Sequence, residues 1–487
     1  MDFISQIWTQ LYLGFYGIYS LLIGFIIILV ITDDKNPAKT LAWVMVLVFL
    51  PVAGVIFYLF FGQNYRKQKI FSRKGLEDFR QIEQLSFEQL KYLEQPEMVK
   101  YRAAFKKLHI IKLLLNSSKS IVSRHNEIKI ISSGREKFNT LVHELQKAKH
   151  HIHMEYYIFE SDEIGNKIID ILIDKALQNV EVRLIIDHVG SWHFQKKRMK
   201  ELKAAGVDLQ IFMPVTFPYF TSKINFRNHR KIVVIDGKTG FVGGMNIADK
   251  YIHGTKKLGK WRDMHLQITG EAVHSLQTVF MTDWYFLTHQ LPTDNIYFPP
   301  SETKQHAITQ VVASGPDSSW AGIMQTYFSA IATARKSLYI ITPYLLPNSA
   351  ILTALKTASL SGVDVKIIIP RKSDSRVVYY ASLSYINELM DAGVKVYFYN
   401  NGFIHSKVMI VDGLLSSVGT ANLDYRSFSL NFEVNALIYD KNTAADITKI
   451  FEYDLTDSTL ITASGWKKRK WHKKLRSSIS RLFSPLL

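Results

Sequence analysis

His229-Arg230-Lys231-Ile232-Val233-Val234-Ile235-Asp236-Gly237 recurs 176 positions later as His405-Ser406-Lys407-Val408-Met409-Ile410-Val411-Asp412-Gly413, and in each copy an Asn (Asn246, Asn422) lies seventeen residues after the His. The apolar, β-branched run in each copy reads as a strand. Side chains two apart on a strand face the same way, so the imidazole and the ammonium of each copy share a side. After each Asp-Gly comes a second apolar run, ending Gly243-Gly244-Met245-Asn246 and Gly419-Thr420-Ala421-Asn422. This spacing predicts a hairpin that returns the Asn beside the His and Lys, with small residues leaving room for a bulky anion. One His-x-Lys on a strand would be ordinary; two copies matching at His, Lys, Asp, Gly and Asn mark a duplicated half-site.

The duplication extends outward from the motifs. Val180 to Ile186 matches Val363 to Ile369, and Ala205-Gly206-Val207 matches Ala392-Gly393-Val394. Before the first motif the pattern alternates: strand from Glu127 to Ile131, helix from Arg135 to Lys147, strand from His151 to Phe159, helix from Lys167 to Leu177, strand from Glu181 to Asp187. Strands alternating with helices predict an α/β fold whose sheets are covered by helices on both faces. Two such domains, 121–290 and 306–455, would be related by a pseudo-twofold axis that sets the motif hairpins face to face. The active site is expected at that interface, and residues 272–305 are expected to carry the chain across.

Chemistry at such a site must rest on oxygen and nitrogen, because the 487 residues include no cysteine. Lys231, Lys407, Asn246 and Asn422 would bring two ammoniums and two amides to one pocket, enough to neutralise a phosphodiester and its pentacoordinate transition state without a metal. His229 and His405 permit a division of labour, one imidazole attacking phosphorus and the other moving the proton. The run His150-His151-Ile152-His153 invites a metal reading, but only alternate members share a strand face, so core or loop histidines are expected there.

The N-terminus predicts a membrane anchor. No charged residue occurs from Trp8 to Ile31 or from Leu41 to Phe61, and each run meets the roughly 20 residues that cross a hydrocarbon core. Residues 1–63 thus read as a transmembrane hairpin, with spans of about 8–31 and 41–61 and a kink at Pro51. Arg66, Lys67, Lys69, Arg73 and Lys74 follow the second span, which places everything after it in the cytoplasm. Residues 64–120 read as a helical connector. The net charge of +18 fits an anionic lipid surface, and no nucleic-acid partner is expected. In the tail, 462–487, basic residues from Lys467 to Arg481 alternate with Trp466, Trp471, Leu475, Leu482 and Phe483, the composition of an interfacial helix.

The paired motifs resemble those of the phospholipase D superfamily, which carry HxKxxxxD twice. Gly419-Thr-Ala-Asn422-Leu-Asp424-Tyr-Arg426-Ser427-Phe428 and Trp261-Arg262-Asp263-Met-His265 narrow the likeness to the bacterial cardiolipin synthases, and it covers nearly the whole chain. The resemblance implies a phosphohistidine on His229, with His405 as acid and base, and no cofactor. It places Lys231, Lys407, Asp236 and Asp412 in the catalytic motif, and it implies that Asp263 and Glu433 are the acids that orient the imidazoles. Asp236 and Asp412 would then chiefly hold the hairpin turn, their odd offset from the His setting them on the other face; the competing reading makes them the histidine partners. The implied reaction joins two phosphatidylglycerol molecules into cardiolipin and glycerol at the bacterial cell membrane. Another phosphatidyltransferase such as phosphatidylserine synthase, a hydrolytic phospholipase D, a tethered nuclease and a non-catalytic scaffold are the alternatives, separable by the products formed from pure phosphatidylglycerol.

Overall fold

Both motif strands lie inside their sheets, where their two apolar faces are covered. The computed structural model describes residues 2–33, 37–50, 53–55, 57–58, 80–92, 106–215, 225–290, 292 and 294–487. The first half contains β1 (Val122–Ser123), β2 (Asn126–Ile131), β3 (His151–Tyr156), β4 (Glu181–Asp187), β5 (Asp208–Phe212), β6 (Lys231–Ile235), β7 (Thr239–Gly243), β8 (Trp261–Arg262) and β9 (His265–Gly270). The second contains β10 (Thr309–Ser314), β11 (Ser337–Ile341), β12 (Asp364–Pro370), β13 (Lys395–Tyr399), β14 (Phe403–Ile404), β15 (Val408–Val411), β16 (Leu415–Gly419), β17 (Glu433–Ile438) and β18 (Ser458–Leu460).

The first sheet runs β2-β9-β7-β6-β3-β4-β5, and the second repeats that order as β10-β17-β16-β15-β11-β12-β13, with β1 and β18 added at its edges. In each, three strands are parallel (β3-β4-β5, β11-β12-β13) and the motif hairpin joins antiparallel to the first of them. Both sheets are therefore mixed. Parallel strands require helical crossovers, whereas a hairpin needs only a turn.

Asp236 and Gly237 have φ of 53° and 64°, and Asp412 and Gly413 have 56° and 61°. Two successive positive φ values make the primed turn whose twist suits a tight hairpin, which is why Asp-Gly stands at both places. The alternation of β6 then divides its side chains. Val233 and Ile235 enter the first half's own core, while Ile232 and Val234 enter a layer shared with the second half. In β15, Met409 and Val411 face the second half's core, and Val408 and Ile410 face the shared layer. That layer also takes Leu276 from the helix Ala272–Thr288 and Phe451 from the helix Lys441–Thr456. Each fully buried Ile or Val in it contributes roughly 1.5–3 kcal/mol, so the sheet-to-sheet relation is stiffly held.

The segment ahead of the first half is tied into the second. The helix Leu108–Ser118 buries Ile110, Ile111, Leu114 and Leu115 in the second half's core. It is a packed element rather than a free stalk; the other described helix of the expected connector is Arg80–Tyr92. The tail forms the helices Ala463–Lys467 and Trp471–Leu482, and Arg481 anchors the latter by pairing with Glu388 at 3.3 Å.

Residues Met1–Gly75 with Val215–Ile224 form a separate unit. Within it the helix Asp2–Asp33 carries a 27-residue apolar stretch, Gln6–Thr32, long enough to cross a membrane. It packs Ile26 and Val30 with Leu47 of the helix Pro37–Phe49. The expected kink at Pro51 and most of the second span's far half lie outside the described residues.

Candidate active site

Two short parallel contacts between the halves build the site. Phe403 and Ile404 of β14 pair with Trp261 and Arg262 of β8. Asn228 forms the equivalent bridge with Phe432. In each contact the next residue on one strand is a motif histidine and the next on the other is an acid. The backbone N–H of His405 donates to the Arg262 carbonyl at 2.7 Å, and that of His229 to the Phe432 carbonyl at 2.9 Å. The histidines thus precede the motif strands, on segments that reach across to the opposite half.

This crossing decides which acid serves which imidazole. His229 Nδ1 donates to Glu433, 2.9 and 3.0 Å from its two oxygens, and His405 Nδ1 donates to Asp263 Oδ2 at 2.8 Å. Each histidine is oriented by a carboxylate from the other half. A proton fixed on Nδ1 leaves the Nε2 lone pair for chemistry.

The two pairs are not equivalent electrostatically. Burial, opposed by Glu433, takes His229 down to about 4, so its ring is neutral near pH 7. Glu433 is held below the usual carboxylate range in spite of burial, because His229, Lys231 and Thr420 all stabilise its charge. Asp263 has fewer donors, His405 and the Met264 N–H, and burial raises it to about 6. Burial and the adjacent Lys407 also push His405 well below its ordinary value. One pair is a neutral imidazole on a firm anion; the other takes up a proton close to neutrality.

Lys231 and Lys407 are fully buried, and each ammonium turns back to donate to the carbonyl of its own motif histidine. Lys407 Nζ also reaches both ring nitrogens of His405, at 2.9 and 3.0 Å. Burial lowers Lys231 to about 7, with the Lys407 ammonium depressing it further, and lowers Lys407 to about 8 against the pull of Asp263 and Glu433. Two cations this expensive to bury are matched by Glu433 and Asp263, and a phosphodiester would complete the balance.

His229 and His405 line a single cavity of about 830 Å³, together with Asn246, Asn422, Tyr157, Tyr344, Asp374 and Arg426. The asparagines differ. Asn246 spends its amide on Tyr251 Oη at 2.6 Å and accepts from the Ile158 N–H at 3.0 Å. Asn422 leaves its amide oxygen buried without a partner among the described residues, suited to receive a hydroxyl.

Asp236 and Asp412 stand elsewhere. Asp236 accepts from the backbone N–H groups of Lys149, His150 and His151, and Asp412 from those of Arg335, Lys336 and Ser337. Neither lines the cavity. Their place in the catalytic motif is corrected to an architectural one: the odd offset along the strand carries them away from the histidines, and each ties its hairpin turn to the neighbouring parallel strand. The small residues after the second strand are also reassigned. A Cβ on Gly244 would come within 2.1 Å of Asp263 Oδ1, and one on Gly419 within 2.3 Å of Asn435 Oδ1. Their space is taken by polar side chains of the site rather than kept for an anion.

Several residues were not foreseen. The Tyr157 ring lies 5.0 Å from that of His229, and the Trp261 ring 5.4 Å from that of His405. Tyr344 donates to Asp374 at 2.7 Å beside His405. Asp187 is buried, accepts from the Asn228 N–H at 3.0 Å and pairs with Arg227, fixing the turn into His229. No local pattern marks Asp374 or Asp187. Thr420, which donates to Glu433, stands in the Gly-Thr-Ala-Asn motif and could have been found there.

A family model described as "Cardiolipin synthase, PLD-like domain" matches residues 141–284 and 327–455, and one described as "Phospholipase_D-nuclease N-terminal" matches 21–63. The chain is 45% identical over 478 residues to the cardiolipin synthase of Alkalihalophilus pseudofirmus, covering 96% of this chain and 93% of that protein. It is 41% identical over 482 residues to the major cardiolipin synthase of Bacillus subtilis, covering 98% and 99%. The crystal structure of phosphatidylserine synthase from Haemophilus influenzae superposes with a TM-score of 0.56 at 16% identity, over 74% of this chain and 95% of that one, a likeness of fold.

Proposed function

The chain belongs to the cardiolipin synthases, phosphatidyltransferases of the phospholipase D superfamily, and from that membership we propose how its two-half cavity moves a phosphatidyl group between two phosphatidylglycerol molecules. In the first step His229 Nε2 bonds to phosphorus, the bond from phosphorus to the glycerol oxygen breaks, and His405 supplies the proton that glycerol carries away. In the second, a hydroxyl oxygen of another phosphatidylglycerol bonds to phosphorus, the N–P bond breaks, and the hydroxyl proton returns to His405. Cardiolipin and glycerol are the products, and one phosphodiester has replaced another. Lys231 and Lys407 hold the non-bridging oxygens as their charge concentrates.

The observation that carries this reading is the crossed pairing of the imidazoles in one cavity. The neutral ring on a firm carboxylate favours His229 as nucleophile, and the Asp263 carboxyl, raised to about 6 by burial, gives the His405 pair a site that exchanges a proton near neutrality, in keeping with an acid and base role. We place the N-terminal apolar helices in the bacterial cell membrane as a hairpin and the catalytic halves on the cytoplasmic side, on the strength of the basic run after the second apolar stretch. The net charge of +18 and the basic tail would hold those halves against anionic lipid, where both substrates are concentrated.

The test is incubation of the purified full chain with vesicles of pure phosphatidylglycerol. Cardiolipin and glycerol in equal amounts are expected, with a trapped phosphopeptide containing position 229. Phosphatidic acid as the main product would overturn the transferase reading, and phosphate on position 405 would exchange the two histidine roles.

A further inference from the structure

We propose that Arg426, with the adjoining turn at Leu486 and Leu487, forms the subsite that holds the second phospholipid by its own phosphate. The proposal deepens the phosphatidyl-transfer reading and rests on it.

The two halves carry corresponding cations, and only one of them is neutralised. Lys250 lies four residues after Asn246, and Arg426 lies four after Asn422. Both line the cavity. Lys250 Nζ donates to Glu160 at 2.8 Å. Glu160 follows Phe159, which bridges Ile247, and its N–H donates to the Ile247 carbonyl. The matching segment of the second half bridges Leu345 to Leu423, and the N–H of Leu346 donates to the Leu423 carbonyl. Leu346 therefore occupies the place of Glu160, and Leu346 lines the cavity. Among the described residues, the Arg426 guanidinium has no side-chain carboxylate in ion-pair contact in place of that glutamate; the Leu487 terminal carboxylate accepts from its backbone N–H instead. Its guanidinium donates to the Asn225 carbonyl at 3.3 Å, which leaves most of its donor fork unspent.

An arginine with an open fork is matched to a phosphodiester, which it can grip through two oxygens. The first phosphate needs none of it, because Lys231 and Lys407 already flank the histidines. In the proposed transfer, unlike hydrolysis, the acceptor carries a second phosphate, and Arg426 is the cavity cation available for it. Lys257, the other cation given no ion pair among the described residues of the lining, is exposed at the rim, where water competes.

The surroundings of Arg426 suit a lipid. Its backbone N–H donates to the terminal carboxylate of Leu487 at 3.3 Å, and Leu486 and Leu487 line the same cavity. Outward from them, Phe483, Leu482, Ile479 and Leu475 are exposed along the helix Trp471–Leu482, flanked by Lys470, Lys473 and Lys474. These exposed apolar side chains lead along the basic helix toward the turn that meets the arginine. An acceptor seated there brings its free hydroxyl to the phosphatidyl group on His229. The hydroxyl oxygen bonds to phosphorus as the N–P bond breaks, and the proton passes to His405.

The test gives the full-length enzyme, in phosphatidylglycerol vesicles, a choice of acceptors: phosphatidylglycerol itself or added ethanol, which has no phosphate. The ratio of cardiolipin to phosphatidylethanol should fall about tenfold in Arg426→Gln and stay within twofold of wild type in Arg426→Lys. Leu346→Glu, which installs the first half's counter-ion in the second, should mimic Arg426→Gln. An unchanged ratio in both Arg426→Gln and Leu346→Glu overturns the subsite, as does an equal loss of both products in both variants. If the wild-type enzyme forms phosphatidylethanol but no cardiolipin, the transfer reading itself has failed, and the subsite with it.

Discussion

His229 and Glu433 are separated by 204 residues in the chain and by 2.9 Å in space, and they come from opposite halves of a duplicated fold. The same holds for His405 and Asp263, 142 residues apart and 2.8 Å between their nearest atoms. The carboxylate that orients each imidazole comes from the half that does not contain it.

Replacing these acids should separate the two chemical roles. Glu433→Gln removes the anion that fixes the His229 tautomer, and turnover should drop by up to roughly 10⁴-fold, as when the carboxylate partner of a catalytic histidine becomes an amide. Asp263→Asn should slow turnover as well, but through proton delivery. A phosphatidyl donor with a nitrophenol leaving group needs no protonation, so it should restore a pre-steady-state burst to Asp263→Asn and not to Glu433→Gln. Stopped-flow absorbance reads the burst, and its restoration in both variants or in neither would contradict the division of roles.

Activity should have an alkaline limb well below the ordinary titration of lysine. Burial brings Lys231 to about 7 and Lys407 to about 8, and the ammonium forms are the ones that stabilise the transition state. Raising the pH through 7 to 8 discharges them in the free enzyme, so kcat/KM falls over that interval. Arginine at position 231 stays charged and should move the limb upward in whatever activity it retains. A profile of initial rates flat to pH 9.5 would show that the lysines are not discharged.

Loss of the motif aspartates should reduce stability rather than chemistry. Lys107 pairs with Asp412 at 2.8 Å, with side chains only 4% and 8% exposed. Asp412→Ala strands that buried ammonium and should cost about 3–5 kcal/mol in chemical denaturation. Asp236 holds only backbone N–H groups, and Asp236→Ala should cost about 1–3 kcal/mol. The folded Asp412 carboxyl titrates below its ordinary value, so its contribution is present above about pH 3.9 and disappears in more acidic solution. Rates per folded molecule should remain near wild type for both variants.

Gly244→Ala tests the reassigned space beside Asp263. The added methyl would displace that carboxylate from His405, so kcat should fall about tenfold or more while KM changes little. Steady-state kinetics on phosphatidylglycerol vesicles measure the split, and a selective rise in KM would instead favour the original reading of room for substrate.

What the sequence makes legible follows from locality. Period-two alternation marks β2, β3 and β4 to within a few residues, and the repeated Asp-Gly marks both hairpin turns, because each is decided by neighbours in the chain. The duplicated motif is enough to bring His229 and His405 to one cavity. The exchange of acids is not legible, since Asp263 and Glu433 are equally plausible partners for either imidazole until the bridges at Asn228 and Ile404 are seen. Asp374 sits in a loop and Asp187 at the end of β4, and the surroundings of both are composed by segments far away in the chain. The helix Leu108–Ser118 looks like a polar connector around its apolar stripe, and only the packed structure shows which core receives Ile111 and Leu114.

The exchanged carboxylates imply something about ancestry and about cutting the chain. A polypeptide with a single copy of the unit would own one imidazole and one acid that never meet within it, and would become competent only by self-association. In this chain the two copies are joined covalently, so each imidazole always has its acid at hand. Fragments severed in the crossing between Leu291 and Lys304 should accordingly be inert alone and active when co-expressed, each lending the other the base it lacks.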